Sequence, residues 1–231
     1  MRLERPILCL VTDRRRLAGG DETFETGRTM LARVARDAVE AAIDLIQVRE
    51  RDLETAKLVD LVSDLVDIAR GSATRIIVND RVDVALACGA DGVHLRSDSI
   101  APAAYAASGF KRTPGVSGPP AGFLVGRSVH QLAEAVEHAP AVDYLIAGTV
   151  FPTVSKPADS RLLGESGLRR MAAAVDVPIL AIGGVTLERM PAIAASGAAG
   201  VAAIGLFLPS STSMGRVAAA VRARFEGMAR P

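Results

Sequence analysis

Short apolar runs alternate along this chain with longer stretches in which apolar residues recur at helical spacing. The runs are Ile7–Thr12, Leu45–Arg49, Arg75–Asn79, Gly92–Leu95, Leu124–Ser128, Tyr144–Thr149, Ile179–Gly183 and Val201–Leu206. They are nearly continuous in Val, Ile, Leu and Ala, which predicts strands buried on both faces; a half-solvated strand would alternate apolar with polar. Between the second and third runs, Leu53, Ala56, Leu58, Leu61, Leu65 and Ile68 fall at helical spacing, and Leu132, Ala135, Val136 and Ala139 do so before Tyr144. Eight strand–helix units of this kind predict an α/β fold, a closed (β/α)8 TIM barrel built as a single domain over residues 1–231. The structural rival is an open doubly wound sheet, which carries a Gly-rich fingerprint after its first strand. Here that strand ends in Thr12-Asp13-Arg14-Arg15-Arg16. Two stretches break the pattern and predict loops: Ala18–Thr26, rich in Gly and acids, and Thr113–Gly122, which contains Pro114, Pro119 and Pro120. No linker, low-complexity tract or repeat divides the chain.

Composition adds a few exclusions. With 49% apolar but only 3% aromatic residues, the core must be aliphatic. Lys and Arg number 27 against 26 Asp and Glu, so no basic footprint marks a nucleic-acid or membrane partner. Cys9 and Cys88 sit in apolar stretches and are expected as buried free thiols. Met1–Pro6 lacks the apolar run of a signal peptide, and no stretch reaches the ~18 apolar residues of a membrane span. The expectation is a cytoplasmic protein, with a homo-oligomer compatible but not indicated.

Polar residues collect where the predicted strands end, the place where this fold carries its chemistry. Strand two closes with Gln47, Arg49 and Arg51 on one face, strand three with Asn79-Asp80, strand four with His94 and Arg96-Ser97-Asp98, strand five with Ser128 and His130. Charged groups aimed into a barrel mouth are costly to desolvate unless a ligand or an acidic partner neutralises them. A plainer reading is an internal ion-pair layer with Glu50 or Asp80. Asp80 is equally placed to cap the helix-like Val82–Cys88. His94, inside a strand, reads as a satisfied core histidine. His130 opens a helix pattern, where it could meet a substrate or merely cap, and His138 reads as solvent-facing. Gly183-Gly184 and Ile204-Gly205 end strands seven and eight, where glycine amides and a helix N-terminus commonly bind phosphate in this fold. Thr186 is placed to cap the helix that follows.

These motifs, taken together, resemble the thiamine-phosphate synthase and TenI family. The stretches that carry the resemblance are Gln47-Val48-Arg49-Glu50-Arg51, Val78-Asn79-Asp80 with Arg81–Leu86, and Gly89–Leu95. They continue with Gly126-Arg127-Ser128-Val129-His130, Asp143-Tyr144, Gly148–Lys156 and Ala181–Thr186, so that nearly the whole chain is covered. The resemblance implies a barrel enzyme of thiamine biosynthesis acting on a pyrimidine pyrophosphate and a phosphorylated thiazole. In the synthase branch, pyrophosphate leaves the aminopyrimidine and the thiazole nitrogen captures the resulting cation. Carried across, Gln47, Arg49, Arg51 and Asn79 would hold pyrimidine and pyrophosphate, and Ser128 would contact the pyrimidine. Thr153 and Ser155 would approach the thiazole, Lys156 the pyrophosphate, and Gly184, Ile204 and Gly205 the thiazole phosphate. Asp80 would bind Mg²⁺.

The departures from that pattern are specific. Synthases of the family usually follow strand four with Gly-Gln, an acidic residue and an Asp that is the second Mg²⁺ ligand. This chain has Arg96-Ser97-Asp98-Ser99, so Asp98 stands one position away from that ligand. Arg51 replaces the usual Lys, keeping the charge but changing its geometry. The sister branch, the TenI-type thiazole tautomerases, needs no metal and uses the histidine matching His130 to move a proton. The synthase is the favoured expectation. Behind it and the tautomerase stand a non-catalytic phosphate-binding barrel and a barrel enzyme outside thiamine chemistry.

Overall fold

The structure, a computed structural model, describes residues 3–18, 23–99, 121–153, 161–208 and 212–227. Eight parallel strands close into one barrel: β1 Ile7–Val11, β2 Leu45–Val48, β3 Arg75–Asn79, β4 Gly92–Leu95, β5 Leu124–Val129, β6 Tyr144–Gly148, β7 Ile179–Ile182 and β8 Gly200–Ala203. Neighbours pair in chain order, and β1 pairs with β8 to complete the ring. The strands expected from the apolar runs are all present, and the open-sheet rival is excluded. β8 ends earlier than its apolar run: Ile204–Leu206 turn off the sheet after Ala203, which carries Gly205 to the barrel rim.

Strand side chains alternate between two cores. Ile7, Cys9, Val11, Leu45, Ile77, Tyr144, Ile146 and Leu180 fill the barrel interior. Leu8, Leu10, Ile46, Val48, Ile76 and Val78 point outward and pack with helix residues such as Leu31, Val34, Leu61 and Leu65. Both faces of each strand are thereby desolvated, which is why the runs read as continuous rather than alternating. Tyr144 is the largest fully buried side chain, and its space comes from its register partner on β5, Gly126. A Cβ at Gly126 would lie 2.1 Å from the Tyr144 ring. Cys9 is fully buried, its thiol pushed up to about 12 by desolvation; Cys88 is half-buried, and both are free thiols.

The outer layer holds helices at Phe24–Glu40, Thr55–Ala69, Val82–Ala87, Leu132–His138, Gly164–Ala174, Met190–Ala195 and Met214–Glu226. Among the described residues, none is long and apolar enough to cross a membrane. Of the loop expected over Ala18–Thr26, residues 19–22 lie outside the described residues, and helices take up its two ends. One short helix, Arg14–Ala18, precedes it, and the next starts at Phe24, where the Thr23 hydroxyl accepts the Thr26 N–H at 3.3 Å. Most of the second irregular stretch, Thr113–Gly122, lies outside the described residues. In the helix Leu132–His138 only Ala135 is buried, and Leu132 and Val136 face outward at 40% and 50% exposure. His138 is not solvent-facing as expected: its side chain is only 12% exposed, at the end of that helix.

Candidate functional site

A cavity of about 810 Å³ opens where the strands end. Gln47, Arg49, Arg51, Asn79, Asp98, Ser128, His130, Thr153, Gly184, Ile204 and Gly205 all line it, which brings together most of the residues singled out from sequence. Ser155 and Lys156 lie outside the described residues.

The floor is uncharged and hydrogen-bonded. Gln47 is 3% exposed, and its Nε2 donates to Asn79 Oδ1 at 3.0 Å, fixing both amides from adjacent strands. His94 is buried with both ring nitrogens partnered: Nε2 lies 2.8 Å from Ser128 Oγ and Nδ1 3.3 Å from the Tyr144 hydroxyl. This is the satisfied histidine expected from its strand position, yet it also lines the cavity. Burial, helped by the nearby positive charge of Arg127, pushes it down to about 3, so the ring is neutral.

The cationic wall belongs to β2 and to the loop after β4. Alternation past the end of β2 directs Gln47, Arg49 and Arg51 into the mouth together. The internal ion-pair layer does not form. Glu50 turns the other way, accepting from Thr12 Oγ1 at 2.7 Å and pairing with Arg14 at 3.0 Å. Neither Arg49 nor Arg51 makes a salt bridge among the described residues. Burial lowers the Arg51 guanidinium from its ordinary range, and the like charges of Arg49 and Arg96 add to that. Asp80 does not cap the helix Val82–Ala87, because Arg81 holds the cap position and makes no side-chain cap bond. Asp80 instead adopts φ +63°, a conformation Asp tolerates better than most residues, and donates its N–H to the His94 carbonyl at 2.9 Å.

The carboxylates associated with Mg²⁺ are already engaged. One Asp80 oxygen accepts from the Ser99 hydroxyl, and the other lies 3.7 Å from the Arg96 guanidinium. Arg96 also pairs with Asp98, which is exposed and held below the usual carboxylate range by that contact. Mg²⁺ requires a near-octahedral shell of oxygens and does not share carboxylates readily with a permanent cation. The donor set in this arrangement does not fit a two-carboxylate Mg²⁺ site. Among the described residues, no three His, Cys, Asp or Glu side chains gather as metal ligands.

Across the cavity, Gly183 and Gly184 follow β7 at φ +96° and +61°. Two successive positive-φ positions suit glycine, which adopts them at no steric cost. Arg189 Nη1 donates to the Gly184 carbonyl at 2.5 Å, and its guanidinium stacks 4.7 Å from the Phe151 ring centroid, bracing this turn. Thr186 occupies the cap position of a 3₁₀ turn, Leu187–Arg189, but makes no side-chain cap bond there; the six-residue helix Met190–Ala195 follows. This end has a 3₁₀ turn and a short helix rather than a long helix terminus, so an anion held here would depend on backbone amides.

Two cavity residues do not stand out in the sequence. Arg16 reaches the rim beside Gly205, where a Cβ would stand 3.3 Å from its Nη2. Its neighbours Arg14 and Arg15 are taken by other partners, Arg14 by Glu50 and Asp52 and Arg15 by Asp52, a division the three-arginine run does not show without the fold. Arg96 registered only as a departure from a motif. His130 does not cap: its backbone N–H is taken by Glu134 Oε2 at 2.7 Å, and its Nδ1 meets the Gly148 carbonyl. A carbonyl accepts only, so Nδ1 carries a proton, and in the neutral ring Nε2 holds the lone pair.

The whole chain matches a structure of thiamine phosphate pyrophosphorylase from Pyrococcus furiosus at a TM-score of 0.76, with 28% identity over 97% of this chain and 98% of that one. The thiamine-phosphate synthase of Caldivirga maquilingensis is 37% identical over 74% of this chain and 78% of its own length. That of Solidesulfovibrio magneticus is 42% identical over 75% of this chain and 74% of its own. Residues 8–207, running from β1 past the Gly205 rim, match the thiamine monophosphate synthase family, and the chain belongs to it.

Proposed function

We propose that this protein condenses an aminopyrimidine pyrophosphate with a thiazole phosphate, releasing pyrophosphate and forming thiamine phosphate. The observation that carries the reading is the division of one cavity into two anion-receptive ends with an uncharged, hydrogen-bonding floor between them. Arg49 and Arg51 serve the pyrophosphate, and the Gly184 and Gly205 amides with Ile204 serve the thiazole phosphate. Gln47, Asn79 and Ser128 present fixed polar atoms to the pyrimidine edge, with Ser128 oriented by neutral His94. Thr153 lines the thiazole side, and Ser155 and Lys156 follow it in sequence.

The chemistry needs no protein nucleophile. The C–O bond to the pyrophosphate breaks with its electron pair leaving on oxygen, and the thiazole nitrogen's lone pair forms the new C–N bond. Guanidiniums placed where negative charge accumulates lower that barrier electrostatically. Mg²⁺ is expected from the family resemblance, but no step is assigned to it, given how Arg96 engages both carboxylates. One observation favours a second reading: with Nδ1 turned to the Gly148 carbonyl, a neutral His130 would present Nε2 as a base on the cavity wall, as thiazole tautomerisation would require. Incubating the protein with both substrates and measuring thiamine phosphate together with pyrophosphate tests the first reading. Formation of neither product, with and without Mg²⁺, would refute it.

A further inference from the structure

The loop after β4 places a permanent cation between the two carboxylates nearest the cationic wall. Arg96 pairs with Asp80 and Asp98, and its backbone N–H donates to Ser99 Oγ at 3.0 Å. Ser99 in turn donates to Asp80, so the side chain standing where the family has its second metal ligand is itself a hydrogen-bond donor to the first. The loop is held from beneath. Arg127, 3% exposed on β5, donates to the Ser97 and Ser99 carbonyls at 3.0 and 3.3 Å. Arg96 is half-buried and lines the same cavity as Arg49 and Arg51.

From this arrangement we infer that Arg96 takes the place of a metal ion: the departing pyrophosphate is met by the guanidiniums of Arg49, Arg51 and Arg96, with Asp80 and Asp98 as their counter-charges. The inference rests on the condensation proposed above. A guanidinium presents several N–H donors in a plane that matches two phosphate oxygens at once and cannot lose its charge. Two carboxylates against three guanidiniums leave one net positive charge at the wall, so a polyanion is attracted without a dication. A divalent ion entering between Asp80 and Asp98 would have to displace Arg96 into a wall already crowded with like charge.

The test is binding of inorganic pyrophosphate, followed by calorimetry in EDTA, with Mn²⁺ uptake followed separately by paramagnetic resonance. Wild type is expected to bind pyrophosphate in EDTA and to leave added Mn²⁺ free. Arg96→Gly should weaken pyrophosphate binding in EDTA by about 10–100-fold, the cost of one charge-assisted contact. Arg96→Lys, which keeps a charge and guards against misfolding, should lose less. Arg96→Gly combined with Ser99→Asp should take up Mn²⁺ and bind pyrophosphate more tightly in its presence. The inference is overturned if wild type binds pyrophosphate only with a divalent ion, or if Arg96→Gly binds it unchanged in EDTA. Thiamine phosphate formed in Mg²⁺ but not in EDTA would overturn the inference and leave the condensation standing. If no thiamine phosphate forms under either condition, the condensation fails, and the pyrophosphate titration still decides the role of Arg96.

Discussion

His94 Nε2 lies 2.8 Å from Ser128 Oγ, so a buried imidazole sets the direction of a cavity hydroxyl. The ring is neutral in the folded state, pushed down to about 3 from an ordinary value near 6.5. In the unfolded chain it protonates normally. Below about pH 6.5 the unfolded state therefore binds a proton that the folded state does not. The stability His94 supports is complete above that pH and is lost as pH falls towards 3. Between pH 7.5 and 5.5 this contribution amounts to roughly 1 kcal/mol. Urea denaturation at those two pH values should show that loss in wild type and a smaller one in His94→Gln. Equal losses in both proteins would exclude the assignment.

Gly126 and Tyr144 predict an overpacking defect. A methyl at Gly126 would meet the Tyr144 ring at 2.1 Å in a closed barrel with nowhere to expand. Gly126→Ala should cost about 1–3 kcal/mol, read as a lowered midpoint of chemical denaturation. Because the displaced ring also holds His94, activity should fall together with stability.

The two glycine turns should respond differently. At Gly184 a side chain meets the Pro152 carbonyl at 2.4 Å and suffers a positive φ, so Gly184→Val should damage both folding and phosphate binding. Gly205 is exposed, and the nearest atoms an added Cβ there would meet belong to the flexible Arg16 side chain, at 3.3 Å. Gly205→Val should keep its thermal midpoint while weakening thiazole-phosphate binding about tenfold or more, roughly 1.4 kcal/mol, in calorimetry. Unchanged affinity in that variant would move the phosphate elsewhere.

The strands and the β2 motif were legible in sequence because both rest on local regularities. Continuous apolar runs report burial on two faces, and the alternation of Gln47, Arg49 and Arg51 reports one face. Where the structure departs from those expectations, tertiary pairing decided the outcome. Leu132 and Val136 have helical spacing but belong to a short helix whose inward line is Ala135 and Ala139. Asp80 sits at a plausible cap position, yet the loop after β4 claims its carboxylate through Ser99 and Arg96. Arg16 differs from Arg14 and Arg15 in that Glu50 and Asp52 take those two. Charge pairs between residues distant in sequence leave no periodic trace.

Glu50 offers a check on how the cationic wall is positioned. It is buried, with Thr12 and Arg14 satisfying its oxygens, and the Thr12 hydroxyl also accepts the Arg49 N–H at 3.0 Å. Glu50→Gln keeps the shape but strips one of the two carboxylates that Arg14 pairs with, Asp52 being the other. It should destabilise the fold by about 1–2 kcal/mol, since Arg14 keeps Asp52 and loses only its buried charge partner. The substrate affinity should fall further than stability alone explains, because Arg49 shares the Thr12 anchor. Arg14→Ala should reproduce the stability loss with a smaller effect on pyrophosphate affinity, and identical affinity losses in the two variants would argue against the Thr12 link.

The ranking of Arg49 and His130 separates condensation from proton transfer. Departure of pyrophosphate depends on charge stabilisation at the reacting end, so Arg49→Ala should depress thiamine phosphate formation by about 10²–10³-fold. His130→Ala should cost that reaction less, because no proton must be carried for the C–O bond to break. Thiazole tautomerisation makes the opposite demand. It needs a base within reach of a ring carbon, the part His130 Nε2 would play, and has no pyrophosphate for Arg49 to meet. A tautomerase would therefore tolerate Arg49→Ala and lose about 10²–10⁴-fold with His130→Ala. Assaying both variants for thiamine phosphate formation and for interconversion of the thiazole tautomers gives two rankings. The condensation reading requires Arg49 to outrank His130 in the first assay, and it fails if His130→Ala alone abolishes the protein's only measurable turnover.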